Sequence, residues 1–203
     1  MKRISFKDSG GLNLTSAVLS GRKTMTRRAV PYKVETDAMK YAEGESNYTR
    51  AKFEYVHRHS PYKIGDVVAI RQAYQEYFGE EDAAKNKFRN TIGWTNKMFV
   101  RASLMTHHIR ITDVCVERLQ LIPYEDCLRE GVYRDVYGGR VIGYPFGVPF
   151  YYTFTGAISR DGKQLHWETP RDAFTALIDK VCGRGTWESN PLVWVYSFEL
   201  IEL

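Results

Sequence analysis

The run His108-Ile109-Arg110-Ile111-Thr112-Asp113-Val114-Cys115-Val116-Glu117-Arg118-Leu119 alternates apolar and polar side chains over twelve residues. A strand sends successive side chains to opposite faces, so this run has one face to bury and one to give to water. It predicts a long half-buried strand, and such a strand needs neighbours. The sequence offers them at Ile4–Phe6, at the extended segment Lys23–Arg28, after the Gly65-Asp66 turn in Tyr62–Arg71, at Met98–Ser103 and at Leu192–Leu203. Helical signals are fewer. Asn13–Ser20 puts Leu14, Val18 and Leu19 on one face ahead of Gly21. Pro123–Gly131 opens on proline and acids and stops on glycine, and Pro170–Val181 is amphipathic with Phe174, Leu177, Ile178 and Val181 inward.

Strands outnumber helices, and few of them sit in βαβ order. This pattern predicts an α+β fold with a mixed or antiparallel β-barrel and short flanking helices rather than a doubly wound sheet. A chain of 203 residues fits a single domain, 1–203, with insertions at 29–60, 74–100 and 133–169. The first insertion is polar, Tyr-rich and weakly periodic, so it reads as a long loop. Residues 76–92 are charged and irregular. Residues 133–165 are rich in glycine and aromatics, which suits loops with room for a hairpin.

The charge is unevenly placed. Residues 1–70 carry 13 Lys/Arg against 7 Asp/Glu, whereas residues 71–203 carry 16 against 17. The basic excess therefore lies in the first third, where a phosphate-facing surface would be sought; a merely solvated basic face is the plainer alternative. Its densest part is Gly21-Arg22-Lys23-Thr24-Met25-Thr26-Arg27-Arg28, with four cations in seven residues and two interleaved threonines. Arg forks onto phosphate, and a Lys desolvated among cations loses its proton more readily, which suits a nucleophile or base. In a regular strand Lys23 and Thr26 would point to opposite faces, so they share a site only if the chain bends between them.

Helix followed by Gly-Arg-Lys-Thr-x-Thr-x-Arg resembles the opening signature of the ASCH family. Later segments resemble that family in the same order: Tyr62-Lys63-Ile64-Gly65-Asp66-Val67, then Ile111–Leu121 with the acidic helix ending Glu130-Gly131, then Gly183–Glu199. The last block is similar to the longer, often phage- or prophage-associated members. The four blocks cover roughly half of the chain, with 29–60, 74–100 and 133–169 largely outside them. The resemblance implies a PUA-like barrel with a cleft for RNA, a nucleoside or a nucleotide. In one small bacterial branch the cleft hydrolyses N4-acetylcytidine, and the positions matching its site are Lys23, Thr26 and Glu130. Lys23 would attack or activate water, Thr26 would orient or polarise, and Glu130 would shuttle the proton. The first reading is an RNA- or nucleotide-binding protein with a basic cleft and no turnover; the metal-independent amidohydrolase is the alternative, and a ribonuclease or a phage accessory interaction protein with a vestigial cleft is a further one.

The candidate nucleic-acid contacts are Arg22, Arg27 and Arg28, with Trp187 as a base-stacking wall. Trp187 could equally cap the barrel end, and Trp194, in an alternating strand, reads as core. Glu130 falls near a helix C-terminus, where a carboxylate is disfavoured. That placement suits a site, though an ion pair with Arg129 or Lys23 would also account for it. His57 with His59, and His107 with His108, lack a further ligand at metal spacing, so no metal and no cofactor are expected. Cys115, Cys127 and Cys182 are odd in number and far apart, consistent with reduced thiols. The first residues lack an apolar signal core, and no apolar run approaches a membrane span, so the sequence predicts a cytoplasmic protein with no membrane partner. No feature of the sequence specifies an oligomeric state.

Overall fold

The computed structural model describes residues 1–9, 12–78, 87–136, 149–153 and 166–202. Its centre is the alternating run, which forms β4 (His107–Arg118) and pairs antiparallel along its whole length with β7 (Leu192–Glu202). A register shift between Ile111 and Asp113 marks a bulge. β3 (Val67–Ile70) lies antiparallel on the other side of β4, and β1 (Lys2–Ile4) adds in parallel beyond it. β2 (Met25–Ala29) pairs antiparallel with β7, so the sheet order is β1-β3-β4-β7-β2. A separate hairpin joins β5 (Val132–Val136) to β6 (Pro149–Thr153).

The fold is α+β, with a five-stranded mixed sheet. Among the described residues this sheet is open: β1 and β2 end it without pairing to one another. The closed barrel expected from the sequence is therefore not formed by these five strands. Two local expectations also differ. The segment 29–60, read as a loop, contains two helices, α2 (Tyr32–Ala42) and α3 (Tyr48–Arg58), the second capped by the Asn47 side chain accepting from Arg50 N–H. Their inward faces are built largely on alanine (Ala38, Ala42, Ala51), with Val56 the buried branched residue. Small side chains give weak hydrophobic contrast, which is why the periodicity was faint. Met98–Ser103, read as a strand, instead holds 3-10 turns at Lys97–Phe99 and Ala102–Leu104 around a buried Val100. Parts of the second and third insertions, at 79–86, 137–148 and 154–165, lie outside the described residues, and with them the glycine-rich loops.

The remaining helices are α1 (Leu14–Leu19), capped by Asn13, α4 (Tyr74–Tyr77), α5 (Tyr124–Arg129), α6 (Pro170–Cys182) and α7 (Thr186–Ser189). Phe174 and Leu177 of α6 join the main core with Ile109, Ile111, Trp194 and Tyr196 of the sheet. No helix among the described residues is long and apolar enough to cross a membrane.

Trp194 sits in that core at 4% exposure, and its indole N–H donates to the Val56 carbonyl at 2.9 Å, tying β7 to α3. Trp187 is only partly buried, edge-on to Phe174 with ring centroids 6.2 Å apart. Trp194→Ala is expected to destabilise the protein by about 3–5 kcal/mol, the range for deleting a packed aromatic, and Trp187→Ala by less. Urea denaturation of both variants checks the order; an equal or reversed cost would contradict the packing described.

Candidate functional site

The site forms at the outer edge of β2. Gly21, at φ +71°, takes the backbone conformation that glycine tolerates best, and it ends α1. The chain then crosses to the sheet: Lys23 N–H donates to Ala17 O, and Thr24 N–H donates to Arg129 O at the end of α5. Lys23 thus precedes the strand, which begins at Met25. The alternation that would separate Lys23 from Thr26 does not apply across this crossing.

Glu130 is brought to the same place by α5. It is the C-cap residue, its N–H donates to Asp126 O, and Gly131 turns the chain away at φ +104°. Its two carboxylate oxygens are divided. One accepts from the Lys23 amine at 2.6 Å and the other from Arg27 Nη1 at 3.2 Å. The Glu130 carbonyl accepts from Lys23 Nζ as well, at 2.8 Å. Both side chains of the Lys23–Glu130 pair are buried, at 3% and 5% exposure.

Arg27 extends this cluster. Its Nη2 lies 2.9 Å from Asp126 and 2.8 Å from Glu117, its Nε donates to the same Glu117 oxygen at 2.9 Å, and its Nη1 reaches Met25 Sδ at 3.1 Å. All three guanidinium nitrogens are engaged within the protein. Arg27 was a candidate phosphate contact in the sequence; here it is turned inward onto three carboxylates, with only 1% of its side chain exposed.

Thr26 and Arg28 share the opposite face of β2, aligned with Tyr196 and Trp194. Both line a cavity of about 470 Å³ together with Lys23 and Glu130. Its far wall is apolar, from Phe174, Leu177 and Ile178 of α6, and Phe6 forms a third side. That volume, and the pairing of a flat apolar wall with a few polar groups, suit a small organic ligand. Among the described residues the Thr26 side chain makes no hydrogen bond, so its hydroxyl is available to the cavity. Arg28 donates to Ser5 O at 2.6 Å and lies 5.7 Å from the Phe6 ring centre.

The sequence-predicted residues therefore divide. Lys23, Thr26, Glu130 and Arg28 line one cavity, and the Arg27 side chain is bound in the ion cluster at its edge. Arg22 is exposed and donates to the Ser20 hydroxyl, away from the cavity. Trp187 does not line the cavity; it stands behind Phe174, its ring facing the Arg171 guanidinium at 6.0 Å. Sequence reasoning missed Phe6, Lys97 and Met98, which complete the cavity from two distant segments. No local pattern marks them; Lys97 is placed by donating to Phe6 O and Asp8.

Burial lowers the Lys23 pKa, more than the Glu130 carboxylate raises it, and Arg28 and Arg27 lower it further. The Arg27 pKa is raised: its burial, which acts the other way, is outweighed by Glu130, Asp126 and Glu117. Cys182 also lines the cavity, but burial raises its thiol pKa, which argues against a thiolate nucleophile. Among the described residues no group of three or more His, Cys, Asp or Glu is placed to hold a metal ion. The chain matches no family model, no curated protein and no solved structure.

Removing one partner from a buried ion pair strands the other. Glu130→Ala leaves Lys23 without its carboxylate and Arg27 with one fewer, and is expected to destabilise by about 3–5 kcal/mol. Lys23→Met leaves Glu130 still paired to Arg27 and should cost less. Denaturant midpoints for the two variants test this; a smaller loss for Glu130→Ala than for Lys23→Met would mean that the carboxylate does not anchor the cluster.

Proposed function

We propose that this chain is an ASCH-like protein of the PUA-like class, and that its cavity binds an acylated nucleoside and hydrolyses the acyl amide without a metal. The observation that carries this reading is the convergence of Lys23, Thr26 and Glu130 on one cavity from segments more than a hundred residues apart. The order of the motif blocks supports the family reading. The Gly21–Arg28 block opens onto β2, the closing block supplies the β7 strand that pairs with it, and the acidic helix lies against its edge.

In this reading the 2.6 Å contact is a proton path. Glu130 accepts a proton from the Lys23 ammonium, leaving a neutral amine. The amine takes a proton from water as the water oxygen bonds to the acyl carbon, and the Thr26 hydroxyl donates to the carbonyl oxygen as it gains charge. Collapse breaks the C–N bond, the leaving nitrogen receives the proton held by Lys23, and the products are the free amino base and a carboxylic acid that ionises to carboxylate on release into water. Glu130 returns its proton to the amine and restores the starting pair. The apolar wall of Phe174, Leu177 and Ile178 gives the base a surface and limits water at the amine.

A second reading, binding of RNA or a nucleotide without turnover, is favoured by the other oxygen of Glu130. Its contact with Arg27 makes the carboxylate part of a structural cluster, and that role needs no chemistry.

Purified protein is expected to release acetate from N4-acetylcytidine with no added metal and in the presence of chelator. Lys23→Arg keeps the charge but cannot supply a neutral amine near neutral pH, so it should abolish turnover. Because the Lys23 pKa is lowered, the neutral-amine fraction grows as pH rises through a value below 10.5, and kcat/KM should climb along that limb. Turnover that survives Lys23→Arg would exclude the lysine mechanism, and ligand binding with no release of acetate would select the binding-only reading.

A further inference from the structure

A second cavity, of about 330 Å³, adjoins the first and shares Ser5, Arg28 and Met98 with it. Three arginines line it, Arg3, Arg28 and Arg71, and no carboxylate does. Two come from strands of the sheet and the third from the residue after one. Arg3 lies on β1 opposite Ala69, Arg28 on β2 opposite Trp194, and Arg71 directly follows β3, its N–H donating to Ile4 O at 2.9 Å.

These arginines differ from Arg27. Among the described residues none of them has an ion-pair partner; their contacts are Arg3 Nη1 to Val100 O at 3.1 Å, Arg28 Nη2 to Ser5 O at 2.6 Å and Arg71 Nη1 to Met98 Sδ at 3.2 Å. The nearby carboxylate of Asp66 is already held by the Lys2 amine and the Lys63 N–H. Arg71 Nε is buried and finds no acceptor among the described residues. Buried donors normally have partners, so an unmatched one on a cavity wall marks an acceptor that arrives with a ligand. Burial, then the charge of Arg3, lowers the Arg71 pKa. Such a group of forks suits one chemistry above others, an oxyanion with several acceptor oxygens.

We propose that the Arg3–Arg28–Arg71 pocket holds a phosphate of the ligand whose nucleoside occupies the Lys23–Thr26–Glu130 cavity. The proposal rests on the nucleoside reading of that cavity, and Arg28, on the shared wall, would sit where base and phosphate parts of one molecule meet. The ligand is then a nucleotide, either free or within an RNA chain. This keeps Arg28 of the motif as a phosphate contact and replaces Arg22 and Arg27 with Arg3 and Arg71, which lie outside it in sequence.

Calorimetric titrations of the full chain at low salt test this with cytidine, N4-acetylcytidine, their 5′-monophosphates, a short oligoribonucleotide and inorganic phosphate. The monophosphates are expected to bind at least about tenfold more tightly than the matching nucleosides, one charge-assisted contact being enough for that factor. In Arg3→Met and in Arg71→Met the ratio should fall toward one. Inorganic phosphate should compete with the monophosphate and not with the nucleoside, a wild-type measurement that holds even if a variant misfolds. A gain confined to the oligoribonucleotide, and lost in the two variants, also supports the pocket and assigns the phosphate to an RNA backbone. Nucleosides binding as tightly as their phosphates overturns the pocket and leaves the nucleoside reading standing. Inorganic phosphate binding that both variants abolish, with no nucleoside bound, keeps the anion pocket and overturns the nucleoside reading. Absence of binding by any of these ligands overturns both.

Discussion

The Glu130 carboxylate is the constraint around which this end of the molecule is arranged. Two buried cations, Lys23 and Arg27, share it, one on each oxygen. Moving each of these ions out of water costs about several kcal/mol, and only close, mutually satisfied contacts offset that cost. The surrounding structure supplies them. The end of α5 delivers the carboxylate, the crossing from α1 to β2 delivers the amine, and Asp126 and Glu117 complete the guanidinium's partners. The docking of α5 on β2 is fixed by the same contacts, together with Thr24 N–H on Arg129 O and Arg129 Nη2 on the Ser197 hydroxyl at 3.1 Å. A carboxylate at a helix C-terminus is unfavourable on electrostatic grounds. Here the two cations outweigh that placement.

The sequence block 21–28 reads as one basic patch, yet the fold gives its four cations different surroundings. Arg27 is committed to carboxylates, Lys23 is half of a buried pair, Arg22 is exposed on Ser20, and Arg28 stands between two cavities. Charge counting along the chain could locate the basic third of the molecule but not this division. The division depends on Glu117 and Asp126, 90 and 99 residues onward from Arg27.

Much of the sheet was legible because its signals are local. The period-two run at 108–119 became β4, the final apolar run became β7, and the Gly65-Asp66 turn preceded β3 at φ +86° for Gly65. The helix at 170–182 followed from Pro170 and its apolar spacing. Helices α2 and α3 were not legible, since they pack through alanines and pair by Tyr41 against Tyr55 and Lys52 with Glu35. At the site, Lys23, Thr26 and Glu130 came from the resemblance to the ASCH family, and the disfavoured place of Glu130 at a helix end was a supporting hint that an ion pair would also explain. The walls contributed by Phe6, Lys97, Arg3 and Arg71 were hidden, because β1 and β2 lie at opposite ends of the sheet order and only tertiary contacts such as Arg28 on Ser5 O join their segments around the cavities.

On the proposed reading, the two cavities would place opposite electrostatic demands on one ligand, and the separation between them would matter for Lys23. Burial already favours the neutral amine, against the pull of Glu130. On the proposed reading, a neutral base filling the first cavity removes further water from the amine and lowers its pKa again. A phosphate dianion in the same space would do the reverse, holding the ammonium form and quenching a base. Seating the anion among Arg3, Arg28 and Arg71 neutralises it away from the amine, with the Arg28 guanidinium on the wall between. On the proposed reading, the arrangement would let one site bind a charged nucleotide through its phosphate and still keep its lysine poised to lose a proton.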